Sequence, residues 1–177
     1  MPIRPPNLTP AFNVVRIAYV DFHATDLEMS KAFWVDALGF VVTEENADAL
    51  YLRGLEERNH HSVVFRKAAA PDVTAVGFKV ASEEDLDRAA YFCAGRGLPH
   101  QFVDRPAQGR TLSFEDPLGT PVELFYAMDS VPSKLRQYGA YRGARIQRID
   151  HVNCFSPDVQ ASYDFFLVLG VIVVAQF

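Results

Sequence analysis

The sequence predicts an α+β fold made of repeated units, each with one strand, one helix and three further strands. Runs of β-branched and aromatic residues alternate with stretches of helical spacing, in the same order twice along the chain. In addition, RIAYVDFHATDLEMS (Arg16–Ser30) returns without a gap as RIDHVNCFSPDVQAS (Arg148–Ser162), at an offset of 132 residues (148 − 16). Such a repeat indicates that similar units follow one another along the chain.

The first unit is predicted to begin with a strand at Val14–His23, which mixes β-branched and aromatic residues. The side-chain oxygens of Thr25 and Asp26 can cap a following helix, and Gly39 ends the helical spacing. Alternating patterns then predict three strands, at Phe40–Thr43, Ala49–Arg53 and Ser62–Arg66.

The second unit repeats this order, beginning with a strand at Val73–Val80. Ser82 opens a helix whose first turn is acidic, and Gly95 and Gly97 end it. The stretch DPLG, Asp116–Gly119, suits a type I turn between the last two strands. Three strands are predicted after the helix, at Pro99–Asp104, Arg110–Glu115 and Val122–Tyr126.

A third unit is begun after a linker that is rich in proline and glycine. We predict a strand at Ile146–Phe155, a cap at Ser156-Pro157-Asp158, a helix at Val159–Leu169 that stops at Gly170, and a strand-like VIVVAQF. Because such a unit cannot bury its faces alone, we expect the chain to be a piece of a longer protein, shortened by cloning, proteolysis or a frameshift. The predicted divisions are an arm (1–13), an N-terminal module (14–128), a linker (129–145) and the incomplete start of a second module (146–177).

Composition indicates a cytoplasmic protein without nucleic-acid or membrane partners. The formal net charge of −5 disfavours polyanions, and two cysteines do not make a disulfide framework. The first twelve residues lack the apolar core of a signal peptide. The most apolar run, Phe165–Phe177, is shorter than the roughly 20 residues that a membrane-spanning helix needs.

Four stretches together resemble one family of enzymes, the extradiol catechol dioxygenases of the vicinal oxygen chelate superfamily. They are YVDFHATDLEMSKAFWVDALGF, YLRGLEERNHHSVVFR, FEDPLGTPVELFY and RIDHVNCFSPDV. Within the family they are most similar to the group that cleaves 3,4-dihydroxyphenylacetate (homoprotocatechuate). The resemblance implies two modules of two βαβββ units each, with mixed sheets and helices outside, and a homo-oligomer.

The resemblance also implies a metal site in the C-terminal module. The family binds Fe(II), or sometimes Mn(II), through two histidines and a glutamate, and the first histidine matches His151. Asn153 matches a residue that lines the substrate and O₂ pocket. In the N-terminal module the three ligand positions are taken by Tyr19, Ala75 and Glu123, so this module is expected to be metal-free, since one carboxylate without imidazoles holds Fe(II) poorly.

Two imidazoles and one carboxylate leave the opposite side of an ion open, which suits an iron that must hold a catechol and O₂ together. The implied reaction inserts both atoms of O₂ and opens the ring beside the hydroxyls. The remaining ligands and the acid–base residues of the family are expected beyond residue 177, so this chain alone is expected to be inactive. Two alternatives remain: a non-catalytic small-molecule-binding module of the same fold, and a glyoxalase-like metalloenzyme.

Other candidate residues have simpler explanations. His60 and His61 suggest a metal site, but neighbours in a strand point to opposite faces, so we predict a structural role. Glu123 is expected to be a paired structural carboxylate. Arg145 and Arg148 could attract an anionic substrate tail, but they are expected to pair with acids at a module boundary. Cys154 is expected to be buried and inert.

Overall fold

The structure is a computed structural model that describes residue 5 and residues 7–171. The predicted strand-like VIVVAQF lies outside the described residues, apart from Val171. Within the described part of the chain we find no helix with the length and apolar character of a membrane span.

The first βαβββ unit forms as the sequence predicts. Its strands are β1 (Val14–Ala24), β2 (Val41–Glu45), β3 (Ala49–Arg53) and β4 (Val63–Lys67), and its helix begins with α1 (Leu27–Lys31). These strands are hydrogen-bonded in the order β2-β3-β4-β1. β1 runs parallel to β4, with Val20 opposite Val63, and the other pairs are antiparallel, so the sheet is mixed.

The helix of the first unit changes type along its length. Asp26 caps α1 by accepting a hydrogen bond from the Met29 N–H, as predicted for this position. From Ala32 to Ala37 the helix is a π-helix, and the Leu38 N–H donates to the Phe33 oxygen five residues back. In a π-helix each N–H bonds to the oxygen five residues back, instead of four as in an α-helix, so each turn contains about one more residue. Gly39, with φ +84°, then ends it as predicted.

The second unit also forms as predicted. It contains β5 (Asp72–Val80), α2 (Glu83–Gly95), β6 (His100–Arg105), β7 (Gly109–Glu115) and β8 (Pro121–Phe125). The strand order is β5-β8-β7-β6, and α2 packs against β6, β7 and β8. Ser82 caps α2 through the Asp85 N–H, and the DPLG turn closes when the Gly119 N–H donates to the Asp116 oxygen (3.0 Å).

The predicted strand at Ile146–Phe155 is wrong. These residues are not in a strand, because no neighbouring strand of the described chain supplies a ladder of hydrogen bonds to them. The helix that follows, α3 (Val159–Val168), is confirmed with its predicted cap, since Asp158 accepts from the Ala161 N–H. Gly170 ends α3 with φ +77°.

By their contacts the residues form two compact units. One contains Ile17–Gly77 and Met128–His151, and the other contains Phe78–Ala127 with the described parts of Met1–Arg16 and Val152–Phe177. The first of these has an apolar cluster built on Ala24, Phe40, Leu50, Leu52, Val63 and Phe65. Ile146 and Ile149, which follow the linker, pack against this cluster.

The linker is docked on the first βαβββ unit. The buried Arg53 donates to the Pro132 oxygen (3.0 Å) and the Glu57 oxygen (2.9 Å), and burial lowers the pKa of its guanidinium. The Lys134 N–H donates to the Leu55 oxygen (2.7 Å). The linker is therefore held by buried polar groups of the first unit.

Candidate functional site

The candidate metal ligand His151 stands in an exposed, irregular segment. Its side chain is 78% exposed, and its Nδ1 lies 3.9 Å from an oxygen of Asp150, which is also exposed. An accessible imidazole of this kind is chemically able to bind a transition metal when neutral.

Asn153 and Cys154 follow in the same segment, and both are exposed. The prediction that Cys154 is buried is wrong, because it rested on a strand that does not form. Partial desolvation, and then the carboxylate of Asp116, still raise the pKa of the Cys154 thiol. The thiol is therefore accessible but protonated at neutral pH, which leaves it weakly nucleophilic.

Tyr19 occupies the position in β1 that corresponds to His151. It is 2% exposed, and its ring lies edge-on to His61 with centroids 5.2 Å apart. A Cβ on Gly77 would lie 2.1 Å from the Tyr19 ring, so the ring fills the space above this glycine. Tyr19 is thus a core residue.

Ala75, at the expected position of the second ligand, is buried in β5 and carries no donor atom for a metal. At the expected position of the third ligand, Glu123 is 2% exposed in β8. Arg105 donates to both oxygens of Glu123 from β6, through Nε (3.0 and 3.3 Å) and through Nη2. The predicted structural role of Glu123 is confirmed, since a guanidinium balances its buried charge.

The structure corrects the reasoning on His60 and His61. They precede β4 instead of lying in it, and their Nδ1 atoms face each other at 3.2 Å. His60 Nε2 also lies 3.3 Å from an oxygen of Glu44. Both imidazoles are buried, and both ring nitrogens of His60 have a polar partner within the protein, as buried polar groups require.

Among residue 5 and residues 7–171, no group of three or more His, Cys, Asp or Glu side chains is arranged to hold a metal ion. His151 is a single candidate ligand, and one imidazole does not make the two-histidine, one-carboxylate site that the resemblance implies. The described residues therefore do not complete a metal centre by themselves.

The family assignment follows from a comparison with known proteins. Residues 16–124 match the family model described as "Glyoxalase/Bleomycin resistance protein/Dioxygenase superfamily". The chain belongs to this superfamily. The matched residues run from β1 to β8 and so include nearly all of both βαβββ units.

Curated superfamily relatives are extradiol dioxygenases. A metapyrocatechase of Geobacillus stearothermophilus is 25% identical over 89% of this chain and 51% of its own length. A manganese-dependent 2,3-dihydroxybiphenyl 1,2-dioxygenase of Geobacillus genomosp. 3 is 23% identical over 81% of this chain and 49% of its own length. The chain therefore spans about half the length of these relatives.

Solved structures of the superfamily show the same fold. Homoprotocatechuate 2,3-dioxygenase from Brevibacterium fuscum, in complex with 3,4-dihydroxyphenylacetate, has a TM-score of 0.87 at 33% identity, over 94% of this chain and 53% of that one. The Arthrobacter globiformis enzyme has a TM-score of 0.87 at 34% identity, over 96% of this chain and 54% of that one. The predicted fold and the predicted family are confirmed.

Sequence reasoning missed two groups that shape these sites. Arg105 reaches Glu123 from β6, and only the β6–β7–β8 register brings these strands into range. Glu57 and Gly54 receive the segment that leads to His151, through contacts between residues about 92 positions apart. The sequence shows Glu57 three residues after Gly54, but this spacing does not indicate which distant residue the carboxylate contacts.

Proposed function

We propose that this chain supplies the first half of an extradiol ring-cleaving dioxygenase that acts on a catechol with a side chain, such as 3,4-dihydroxyphenylacetate. The observation that carries the proposal is the match to homoprotocatechuate 2,3-dioxygenases, with a TM-score of 0.87 across 94–96% of the chain. The complete enzyme is proposed to work as a homo-oligomer, as the family resemblance implies, in the cytoplasm, as the composition indicates.

His151 is the proposed first metal ligand, and Asn153 the proposed pocket residue beside it. The imidazole is accessible, and its counterpart Tyr19 is a packed core residue, so of the two equivalent positions only position 151 presents a metal donor to solvent. Fe(II) is the proposed metal, with Mn(II) as the alternative because one relative is named as manganese-dependent. Since the described residues do not complete the site, no catalytic step is assigned to them.

The first test uses the 177-residue chain alone. After anaerobic reconstitution with Fe(II) and removal of free metal, we expect substoichiometric iron and no yellow ring-opened product from 3,4-dihydroxyphenylacetate in air. Tight iron and turnover by this chain would overturn the proposal, because a complete site would then exist within it or be shared between two copies.

The second test joins residues 1–170 to the C-terminal half of the Brevibacterium fuscum enzyme. We expect this chimera to bind iron and to form the yellow product. In the chimera, His151→Ala should weaken iron binding by at least about 100-fold, since even the loss of an outer hydrogen-bond partner costs 10–100-fold. His100→Ala, which removes a half-buried histidine on β6, is the matched control and should keep the iron.

The outcomes separate the proposals. A chimera that holds iron equally well with alanine at position 151 removes His151 from the ligand set. A folded chimera that binds 3,4-dihydroxyphenylacetate without iron or turnover favours a non-catalytic binding module.

A further inference from the structure

The segment that ends in His151 is held against one turn of the first βαβββ unit. We refer to residues 54–57 (Gly-Leu-Glu-Glu) as the receiving turn and to residues 146–151 as the His151 segment. The Leu55 N–H donates to the Ile146 oxygen (3.0 Å), and the Glu56 N–H donates to the Gln147 oxygen (3.1 Å). Two successive backbone hydrogen bonds thus set the register of the segment on the turn.

Glu57 adds a third hydrogen bond between the turn and the segment, and in this one the turn accepts. Its Oε1 accepts from the Ile149 N–H (3.2 Å). Its Oε2 accepts from the Gly54 N–H and from the buried Ser62 hydroxyl, both at 2.5 Å. Oε2 is therefore held by Gly54 and Ser62. Because the carboxylate is rigid, this determines the position at which Oε1 meets the Ile149 N–H.

Gly54 lets the two backbones approach closely. A Cβ at position 54 would lie 2.2 Å from the Gln147 oxygen and 2.7 Å from the Arg148 nitrogen. Both are backbone atoms, so any side chain at position 54 would displace the His151 segment.

Apolar packing fastens the same residues. Ile146 and Ile149 pack against the cluster that contains Leu52 and Phe65. The ion pair between Arg148 and Glu56 (2.8 Å) lies on the exposed side, where such pairs contribute little. The segment is therefore located by the turn and the core, and His151 follows only two residues after Ile149, within about 7 Å of chain.

We propose that Gly54 and Glu57 are positioning residues for His151, so that the metal-free first unit determines where the first metal ligand stands. The proposal rests on the proposed function, since it takes His151 as that ligand. Neither residue contacts the metal or the substrate in this scheme, and both act through the backbone of residues 146–149.

The first arm of the test measures amide hydrogen exchange in the 177-residue chain. Glutamine has one acceptor oxygen and cannot serve both the Ile149 N–H and the Gly54 N–H, so Glu57→Gln should speed exchange at Ile149 about 10-fold, the loss of one hydrogen bond. Gly54→Ala should do the same by displacement. The controls are Glu56→Gln and Gly139→Ala, where an added Cβ meets nothing within 4 Å.

Exchange at Val63 in β4 reports global opening in the same samples. Slow exchange at Val63 with fast exchange at Ile149 means that the fold is intact and only the segment is released. The His151 imidazole resonances should shift in the Glu57→Gln and Gly54→Ala variants and stay unchanged in the two controls. Unchanged exchange at Ile149 in both turn variants overturns the proposal.

The second arm measures iron affinity in the chimera, where Glu57→Gln should weaken binding about 10–100-fold and Glu56→Gln should not. If Ile149 is released but the iron affinity stays the same, the turn holds the segment without positioning a ligand, and the inference is wrong. If the parent chimera holds no iron, the proposed function fails and the positioning role falls with it, whereas the exchange result still decides whether the turn holds the segment.

Discussion

The two copies of the repeated stretch fold differently at their first halves and alike at their second halves. In Arg16–Ser30 the first half belongs to β1, which pairs with β4, and Tyr19 is buried. In Arg148–Ser162 the same pattern forms no strand, and the His151 side chain is 78% exposed. Asn153 is exposed, whereas its counterpart Asp21 (153 − 132) is buried and accepts from Arg66 at 2.8 Å.

The second halves share their helix caps. Asp26 accepts from the Met29 N–H at 2.9 Å, and its counterpart Asp158 (158 − 132 = 26) accepts from the Ala161 N–H at 3.0 Å. A cap is made by residues three apart, so the local sequence supplies both partners of the hydrogen bond. A strand needs hydrogen-bond partners from elsewhere in the chain, so the same pattern alone does not guarantee it.

The helices after the caps differ by one residue. From Asp26 to the helix-ending Gly39 the chain advances 13 positions (39 − 26), and from Asp158 to Gly170 it advances 12 (170 − 158). The longer copy contains the π-helix at Ala32–Ala37, and the shorter copy is α-helical throughout. The widened turn accommodates the extra residue, so that both helices still end at a glycine with positive φ.

The largest contrast is expected between alanine at Tyr19 and alanine at His151. Tyr19→Ala empties a fully buried site and should lower the free energy of unfolding by about 3–5 kcal/mol, whereas His151→Ala should change it by less than about 0.5 kcal/mol. Urea unfolding of the 177-residue chain measures both values. Equal losses would mean that His151 is packed as Tyr19 is, which would break the comparison.

An intermediate effect is expected from Gly77→Ala, which tests how tightly Tyr19 is packed in the first copy. The new Cβ would lie 2.1 Å from the Tyr19 ring, so overpacking should cost about 1–3 kcal/mol of unfolding free energy. In a double-mutant cycle with Tyr19→Ala, the cost of the alanine at position 77 should largely disappear. An additive pair would show that the ring is not what restricts this glycine.

The smallest contrast is expected between the two caps, which test what the copies share. Asp26→Ala and Asp158→Ala each remove one side-chain acceptor from a helix start and should each cost about 1 kcal/mol of helix stability. Exchange rates of the Met29 and Ala161 amides measure the two losses separately, and Asp26→Asn and Asp158→Asn should restore most of the protection. If alanine lowers the protection of its amide at one cap but not at the other, the two caps are not equivalent.

Most of the fold could be predicted from the sequence because its signals are local. The caps at Asp26, Ser82 and Asp158 and the turn at Asp116–Gly119 depend on residues within four positions of one another. Several unpredicted features depend on distant partners. The missing strand at Ile146–Phe155 and the contact of Glu57 with Ile149 are decided by which backbone lies opposite, which a single sequence does not state.

The two cysteines of the chain differ in a way that gives the protein a natural labelling site. Cys93 is fully buried in α2, and desolvation raises the pKa of its thiol to about 11. Cys154 is exposed and lies three residues after His151. A maleimide fluorophore or a nitroxide spin label should therefore attach to the unsubstituted chain at Cys154, faster as the pH rises toward the raised pKa of that thiol. Its emission or line shape would then report directly on the surroundings of the proposed ligand.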